Sequence, residues 1–250
     1  MPLRAWCPFL ASALILGALP AAADCGAPPG PRVIWTGCDK RGTDLRGLDL
    51  RNAVLSRADL SGADLRGARL TSADLTLAKL REAQLEEVRA TDARFVGADL
   101  SGARLDGAVL DAASLDRASL KQATLVGASL KGTALYQSDL TGADLSGAWL
   151  TKANLLQARL VGAKLAGANL DGANLKRASL ENAVLAGASL RQANLEEAQL
   201  IGADLSAADL SDAILVKADL SDARLDGTIL ERARWVDRRR CAAGSVGGCR

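Results

Sequence analysis

From Leu45 to Leu230 every fifth residue is Leu, apart from Ala90 and Phe95, which makes 36 of 38 positions. Two residues before each of these, the series from Thr43 to Thr228 is Ala at 32 of 38 positions, the departures being Thr43, Leu48, Val88, Thr133, Ser138 and Thr228. The positions between are mostly polar. A period of five is neither helical nor extended: on a helix successive Leu would step by about 140° and coat every face, and on a straight strand they would alternate sides. The chain must therefore turn once per pentad. Ala and Leu, two apart, point the same way from a short extended segment, so each pentad supplies one small and one large inward residue and then a turn.

Segments such as Ala58-Asp59-Leu60-Ser61-Gly62, Ala143-Asp144-Leu145-Ser146-Gly147 and Ala173-Asn174-Leu175-Lys176-Arg177 carry the pattern small, Asp or Asn, Leu, polar, then often Gly. This resembles the consensus of the pentapeptide-repeat family, and the likeness covers nearly the whole chain after its first residues without a register break. The resemblance implies an all-β solenoid, a right-handed quadrilateral β-helix with four pentapeptides per coil. Function varies widely within that family.

The coil length can be checked from the charges alone. Residues one coil apart would stand about 4.8 Å apart in vertical register, where opposite charges stabilise and like charges repel. Between Asp44 and Arg234, pairs at separation 20 comprise 14 of opposite and 4 of like sign, against 7 and 12 at separation 15 and 8 and 8 at separation 25. Only 20 is complementary. The ladders include Asp59, Lys79 and Asp99; Asp139 and Arg159; Asp144 and Lys164; Lys176 and Glu196; and Arg177, Glu197 and Lys217. Gly47, Gly67, Gly107, Gly127, Gly147, Gly167, Gly187 and Gly227 share one column, broken by Glu87 and Ala207, which predicts a corner with positive φ. Asn154, Asn174 and Asn194 share another, which predicts an amide ladder. Thirty-eight pentads at four per coil give nine to ten coils and a rod about 45 Å long.

Composition narrows the chemistry. The chain has 250 residues, 49% hydrophobic but only 3% aromatic, and no His, so Ser-His-Asp, Cys-His and His-based zinc chemistry are excluded. After the first two dozen residues no stretch is apolar for the ~20 residues of a membrane-spanning helix, so no transmembrane segment is expected in the mature chain. Residues 1–23 read as a secretory signal peptide: Arg4 near the start, an apolar run from Phe9 to Leu19, then Pro20 and Ala21-Ala22-Ala23. Its removal takes one base and no acid, leaving 30 basic against 29 acidic groups, a net of +1. An exported destination, periplasmic or secreted, follows from that reading.

Four cysteines remain after the leader, Cys25, Cys38, Cys241 and Cys249, an even count that favours disulfides in an exported chain. A rod of this length keeps its ends apart, whereas bonded cysteines need Cα atoms within about 7 Å. Local pairing of Cys25 with Cys38 and of Cys241 with Cys249 is therefore expected. The chain divides into the leader, an N-terminal cap over 24–42, the repeat over 43–235 and a basic C-terminal tail over 236–250. Trp35 and Trp235 continue the Leu register beyond the two ends and read as lids.

Deviations from the repeat are the candidate sites. Glu86 to Phe95 exchanges the small and large places at Val88 and Ala90, which conserves core volume; beside it Arg89 and Arg94 point outward near Glu86, Glu87 and Asp92. Outward apolar residues recur: Val96, Tyr136, Leu156 and Val216 in one column, Trp149 and Ile229 in another, Val161 and Ile201 in a third. Tyr136, Trp149, Leu156 and Val161 are the candidate interaction patch, for a partner or a homodimer. Arg232, Arg234, Arg238, Arg239 and Arg240 are a candidate contact with an anionic surface. No cofactor, metal or catalytic residue is indicated, because no phosphate loop, nucleophile elbow or ligand cluster occurs. Five aromatics in the mature chain and the export signal argue against nucleic acid. The reading is a non-enzymatic rigid scaffold in the cell envelope with an unknown envelope protein or surface as partner. The alternative that the resemblance offers, a DNA mimic binding type II topoisomerases, conflicts with a near-zero net charge and a leader.

Overall fold

The structure, a computed structural model, describes residues 24–250; the signal-peptide reading of 1–23 lies outside them. Each pentad makes one bend and one rung. Leu50 accepts a hydrogen bond from the N–H of Ala53 (3.1 Å), closing a four-residue turn through Arg51 and Asn52, and the same bond recurs around the chain. Between turns, the residue just before each Leu pairs in parallel with the residue 20 further on, from Ile34 with Val54 through to Ile214 with Arg234. Leu45 N–H donates to Asp64 (2.8 Å), while Asp64 N–H donates back to Thr43 (2.9 Å), so every rung is bonded on both sides. Four pentads thus close one coil, and the column that starts at Ile34 climbs through ten successive rungs to Arg234. Among the described residues no helix is long and apolar enough to cross a membrane.

The four sides of the coil can be followed by their inward residues. Side I carries Ala53 to Leu55 and its repeats one coil apart, side II Ala58 to Leu60, side III Ala63 to Leu65 and side IV Ala68 to Leu70. In all four segments Ala and Leu are fully buried and the middle residue, Val54, Asp59, Asp64 or Arg69, stands outward. The exceptions keep the shaft filled. Val88, Ala90 and Phe95 are all fully buried, and the rungs of Arg89 with Val109 and of Arg94 with Ser114 are unbroken, so the volume exchange leaves the wall straight. Thr133 and Thr228 turn their buried hydroxyls onto the carbonyls of Leu110 (2.9 Å) and Leu205 (2.7 Å), and Ser138 does so onto Leu135 (2.8 Å). A buried hydroxyl bonded in this way avoids most of its desolvation cost.

Positive φ is a property of all four corners rather than of the glycine column alone. The second turn residue is left-handed whether it is Gly67 (φ 63), Glu87 (φ 56), Ala207 (φ 56) or Leu77 (φ 57). In the sequence one corner stands out because Gly concentrates there; the backbone needs the same geometry at each, and elsewhere other side chains absorb the cost. Gly67 has nothing within 4 Å of where a Cβ would stand, so Gly67→Ala isolates the backbone term. It is expected to cost about 1 kcal/mol in urea unfolding; a neutral result would mean these corners carry no φ strain.

Two boundaries differ from the sequence reading. The ladder begins ahead of Thr43: Arg32 N–H already donates to Arg51 (2.9 Å), and Ile34 and Asp39 already pair with Val54 and Asp59, so residues 32–42 belong to the first coil. Residues 236–250 are not a tail. They fold back as a cap paired antiparallel to the last coil, Ile229 with Val246 and Arg234 with Arg240. Leu230 N–H donates to Ser245 (2.9 Å), Cys241 N–H to Ala233 (2.9 Å) and Gly247 N–H to Thr228 (2.9 Å), and both Cys241 and Ser245 are buried. The cap covers the ends of sides IV and I. Sides II and III end half-exposed at Leu220 and Leu225.

Cys25 is bonded to Cys38 with Cα atoms 5.4 Å apart, and Cys241 to Cys249 at 4.9 Å. Cys38 occupies the Ala slot of side II in the first coil and is buried, so this bond ties the leading segment directly to the shaft. Trp35 is fully buried beneath that segment, its indole N–H donating to Ala27 (3.2 Å). Lys40 occupies the next Leu slot. Its ammonium donates to the Cys25 carbonyl (2.7 Å) and stands 4.0 Å from the Trp35 ring centre, which closes the end of the shaft with a cation where a leucine would lie exposed.

Candidate functional site

The acidic position of the pentad is the local device that builds the outer surface. Asp59 Oδ1 accepts the backbone N–H of Ser61 (3.2 Å) and its hydroxyl (2.7 Å), fastening the turn from outside. In the first coil the same carboxylate position faces arginine: Arg41, Arg46 and Arg51 each present a forked pair of N–H groups to Asp39, Asp44 and Asp49, the shorter bonds all 2.6 Å. Vertical pairs join successive coils: Lys79 with Asp59 (3.5 Å), Lys164 with Asp144 (3.5 Å), Lys176 with Glu196 (2.8 Å) and Arg177 with Glu197 (2.6 Å). The asparagine column forms one rung, Asn174 Nδ2 donating to Asn154 Oδ1 (3.0 Å). All three amides also fasten their own turns as aspartate does, Asn154, Asn174 and Asn194 Oδ1 accepting the N–H groups of Leu156 (3.4 Å), Lys176 (3.3 Å) and Glu196 (3.0 Å).

Hydrogen bonds from Arg41 and Arg46, side chain first and then backbone N–H, hold Asp39 and Asp44 at about 2, and the side chain of Arg51 does the same for Asp49. Unfolded aspartates titrate near about 3.9. A carboxylate depressed on folding contributes stability that is whole above its unfolded value and is lost as pH falls through its folded one. The first coil is therefore expected to weaken between about pH 4 and pH 2. Carboxyl-carbon NMR titration checks this: midpoints near 4 for all three would mean that these forks are not formed in solution.

The candidate interaction patch does not assemble. Tyr136 and Leu156 stack in one column at the corner between sides I and II, where Gln137 N–H donates to the Leu156 carbonyl (3.0 Å), and Val161 lies at the next corner, after Leu160 of side II. Trp149 lies on side IV, paired between Ser129 and Asn169, across the coil from side II. From the corner that holds Tyr136 the chain turns two further corners, after Leu140 and Leu145, before it reaches Trp149, which places the ring on a different wall. Tyr136, Leu156 and Val161 are half-buried by their ladder neighbours. Trp149 is 50% exposed, with the Lys131 ammonium 5.2 Å from its ring centre.

Four of the five C-terminal arginines, Arg232, Arg234, Arg238 and Arg240, are brought together where the last coil meets the folded cap, and Arg239 lies outside the group. Arg232 is held by Asp212 through two bonds (2.9 and 2.8 Å) and by Glu231 (2.7 Å), which raises its already high pKa and lowers that of Asp212. Arg240 reaches the same Asp212 at 3.8 Å, and Arg239 pairs with Asp237 at 3.3 Å. Arg234 and Arg238 form no ion pair among the described residues. Asp212, Ile214, Arg232, Arg234, Arg238 and Arg240 line a shallow concavity of about 430 Å³. Asp212 escaped the sequence reading because it lies on the preceding coil; the signal was its one-coil offset from Arg232.

A family model described as pentapeptide repeats matches in eight copies, over segments running from residue 36 to residue 234. Among solved structures, HetL, a pentapeptide repeat protein involved in heterocyst differentiation regulation from the cyanobacterium Nostoc sp. strain PCC 7120, is 36% identical; the alignment covers 80% of this chain and 92% of HetL, with a TM-score of 0.41. Rfr23 from the cyanobacterium Cyanothece 51142 is also 36% identical, over 45% of this chain and 63% of its own, with a TM-score of 0.27. Full-length QnrB1, a plasmid-mediated fluoroquinolone resistance protein, is 22% identical over 60% of this chain and 78% of its own, with a TM-score of 0.35. Among curated proteins nothing matches the chain.

Proposed function

The chain belongs to the pentapeptide-repeat family, and we propose that it acts as an exported, non-enzymatic rod that presents its stacked faces to a partner in the cell envelope. In this reading the winding is the right-handed quadrilateral one implied by the family, and the leader is cut after Ala23. The observation that carries the proposal is the unbroken ladder from Ile34 to Arg234, with a disulfide-tied segment folded against each end. Such a solenoid offers long, flat surfaces in place of a deep pocket. Disulfides as end fastenings suit an oxidising compartment.

Expression with the native leader, followed by fractionation and intact-mass measurement, tests the export. A mature chain starting at Asp24 with four oxidised cysteines outside the cytoplasm is expected; a cytoplasmic chain with the leader attached and reduced thiols overturns it. In-cell crosslinking from Trp149, whose ring stands out on side IV, then identifies the partner. The topoisomerase reading is not favoured, because a DNA mimic needs one sign of charge along its length and these ladders alternate. Gyrase supercoiling is expected to be unchanged by the mature protein.

A further inference from the structure

The C-terminal end gathers positive charge most densely: four arginines line one concavity there, whereas the like-signed rung of Arg69 on Arg89 stands by itself on side IV. Like-signed rungs in the first coils, Asp39 on Asp59 and Asp44 on Asp64, have arginines to neutralise them: Arg41 pairs with Asp39, and Arg46 and Arg66 with Asp44 and Asp64. At the other end Arg234 is paired directly across from Arg240 in the antiparallel rung, a placement that costs stability when nothing lies between the charges. Arg240 has only the 3.8 Å contact with Asp212, whose carboxylate is already bound twice by Arg232. Arg238 is set beside them by a tight turn: its φ is 73, its N–H donates to Trp235 (3.0 Å), and Trp235 N–H donates to Arg239 (2.8 Å). The Cys241–Cys249 bond and the pairing of Cys241 with Ala233 anchor the segment immediately after it. Four guanidinium groups therefore share one concavity with a single carboxylate, on a backbone that is fastened at both ends.

We propose that this concavity is a binding site for a phosphate group, with Arg234 and Arg238 as its principal ligands, Arg240 assisting, and Arg232 held back by Asp212. A guanidinium fork matches two oxygens of a phosphate, and a phosphomonoester carries a charge of about −1.5 to −2 at neutral pH, enough to neutralise the two unpaired arginines. The phosphate has two sources of the same chemistry, a soluble ion or ester and the headgroup of a lipid. The site stands apart from the scaffold reading, since it requires neither export nor a protein partner.

The test uses the full mature chain with its disulfides intact. Inorganic phosphate is titrated by calorimetry, and binding to phosphatidylcholine vesicles with and without phosphatidic acid is followed by sedimentation. Saturable binding of phosphate or of the phosphatidic acid vesicles is expected, the first assigning a soluble source and the second alone a lipid headgroup. Joint replacement by R234Q and R238Q is expected to weaken whichever probe binds at least tenfold, with R239Q unchanged because Arg239 pairs with Asp237 outside the concavity. D212N is expected to tighten binding severalfold, an effect that misfolding cannot imitate. Absence of saturable binding to both probes overturns the site, and so does an equal loss in R239Q, which would show diffuse charge rather than a built site.

Discussion

Leu125→Ala is expected to lower the unfolding free energy by about 2–5 kcal/mol, the range for truncating a large aliphatic side chain where the surroundings cannot collapse. Leu125 is fully buried on side III in the middle of the rod, its N–H bonded to Asp144 (2.7 Å) and the N–H of Leu105 bonded to Thr124 (2.6 Å) immediately before it. Coils on both sides hold the walls at fixed spacing through these bonds, so the cavity stays open. Urea unfolding monitored by circular dichroism measures the loss as a shift in midpoint at constant slope. Leu225→Ala is the internal control. Leu225 ends the same side, half-exposed with no further coil above it, and its truncation is expected to cost below about 1 kcal/mol. Equal effects at the two positions would mean that the coils do not confine the shaft as the hydrogen-bond ladder requires.

Replacing Cys241 and Cys249 together by Ser is expected to cost about 2–4 kcal/mol and to open the C-terminal cap first. The covalent bond closes a short segment with no strand partner beyond the rod, and the buried Cys241 sits against the last coil. In a solenoid each coil is stabilised by its neighbours, so loss of an end propagates inward only as far as the next well-packed coil. Hydrogen exchange distinguishes the outcome: the N–H groups of Leu230 and Gly247, bonded to Ser245 and Thr228, should lose protection, while the N–H of Leu125 keeps it. Unchanged exchange at Leu230 and Gly247 would show that the antiparallel pairing alone holds the cap. The Cys25–Cys38 bond differs in kind, because Cys38 is itself a shaft residue. Its removal is expected to loosen the segment over Trp35 while leaving the rung of Ile34 with Val54 in place.

The repeat was readable because one strong physical constraint recurs in every pentad. Leu and Ala at fixed spacing dictate which side of the chain faces inward, and the excess of opposite charges at separation 20 gives the coil, as in Lys79 beside Asp59 and Arg177 beside Glu197. Local periodicity is enough for both, since rung follows rung with no choice of topology. Residues outside the pattern were harder to place. Ile34 and Asp39 belong to the first coil although Trp35 and Lys40 stand in Leu slots there, so hydropathy alone put the boundary too late. Trp149 and Tyr136 lie close in sequence yet on different walls.

The amino-acid order, taken alone, determined the inward and outward assignment of nearly every residue, the return of the chain after four pentads and the local partners of the cysteines, because each follows from spacing along the chain. Only the three-dimensional structure decided how the ends are closed and which surface residues meet. Nothing in a linear pattern states that 236–250 doubles back against Ile229 and Arg234, or that Asp212 sits among four arginines. Those contacts depend on the direction of a chain that has left its repeat, and that direction is settled by the competition to cover an open shaft and to satisfy the last unpaired backbone groups.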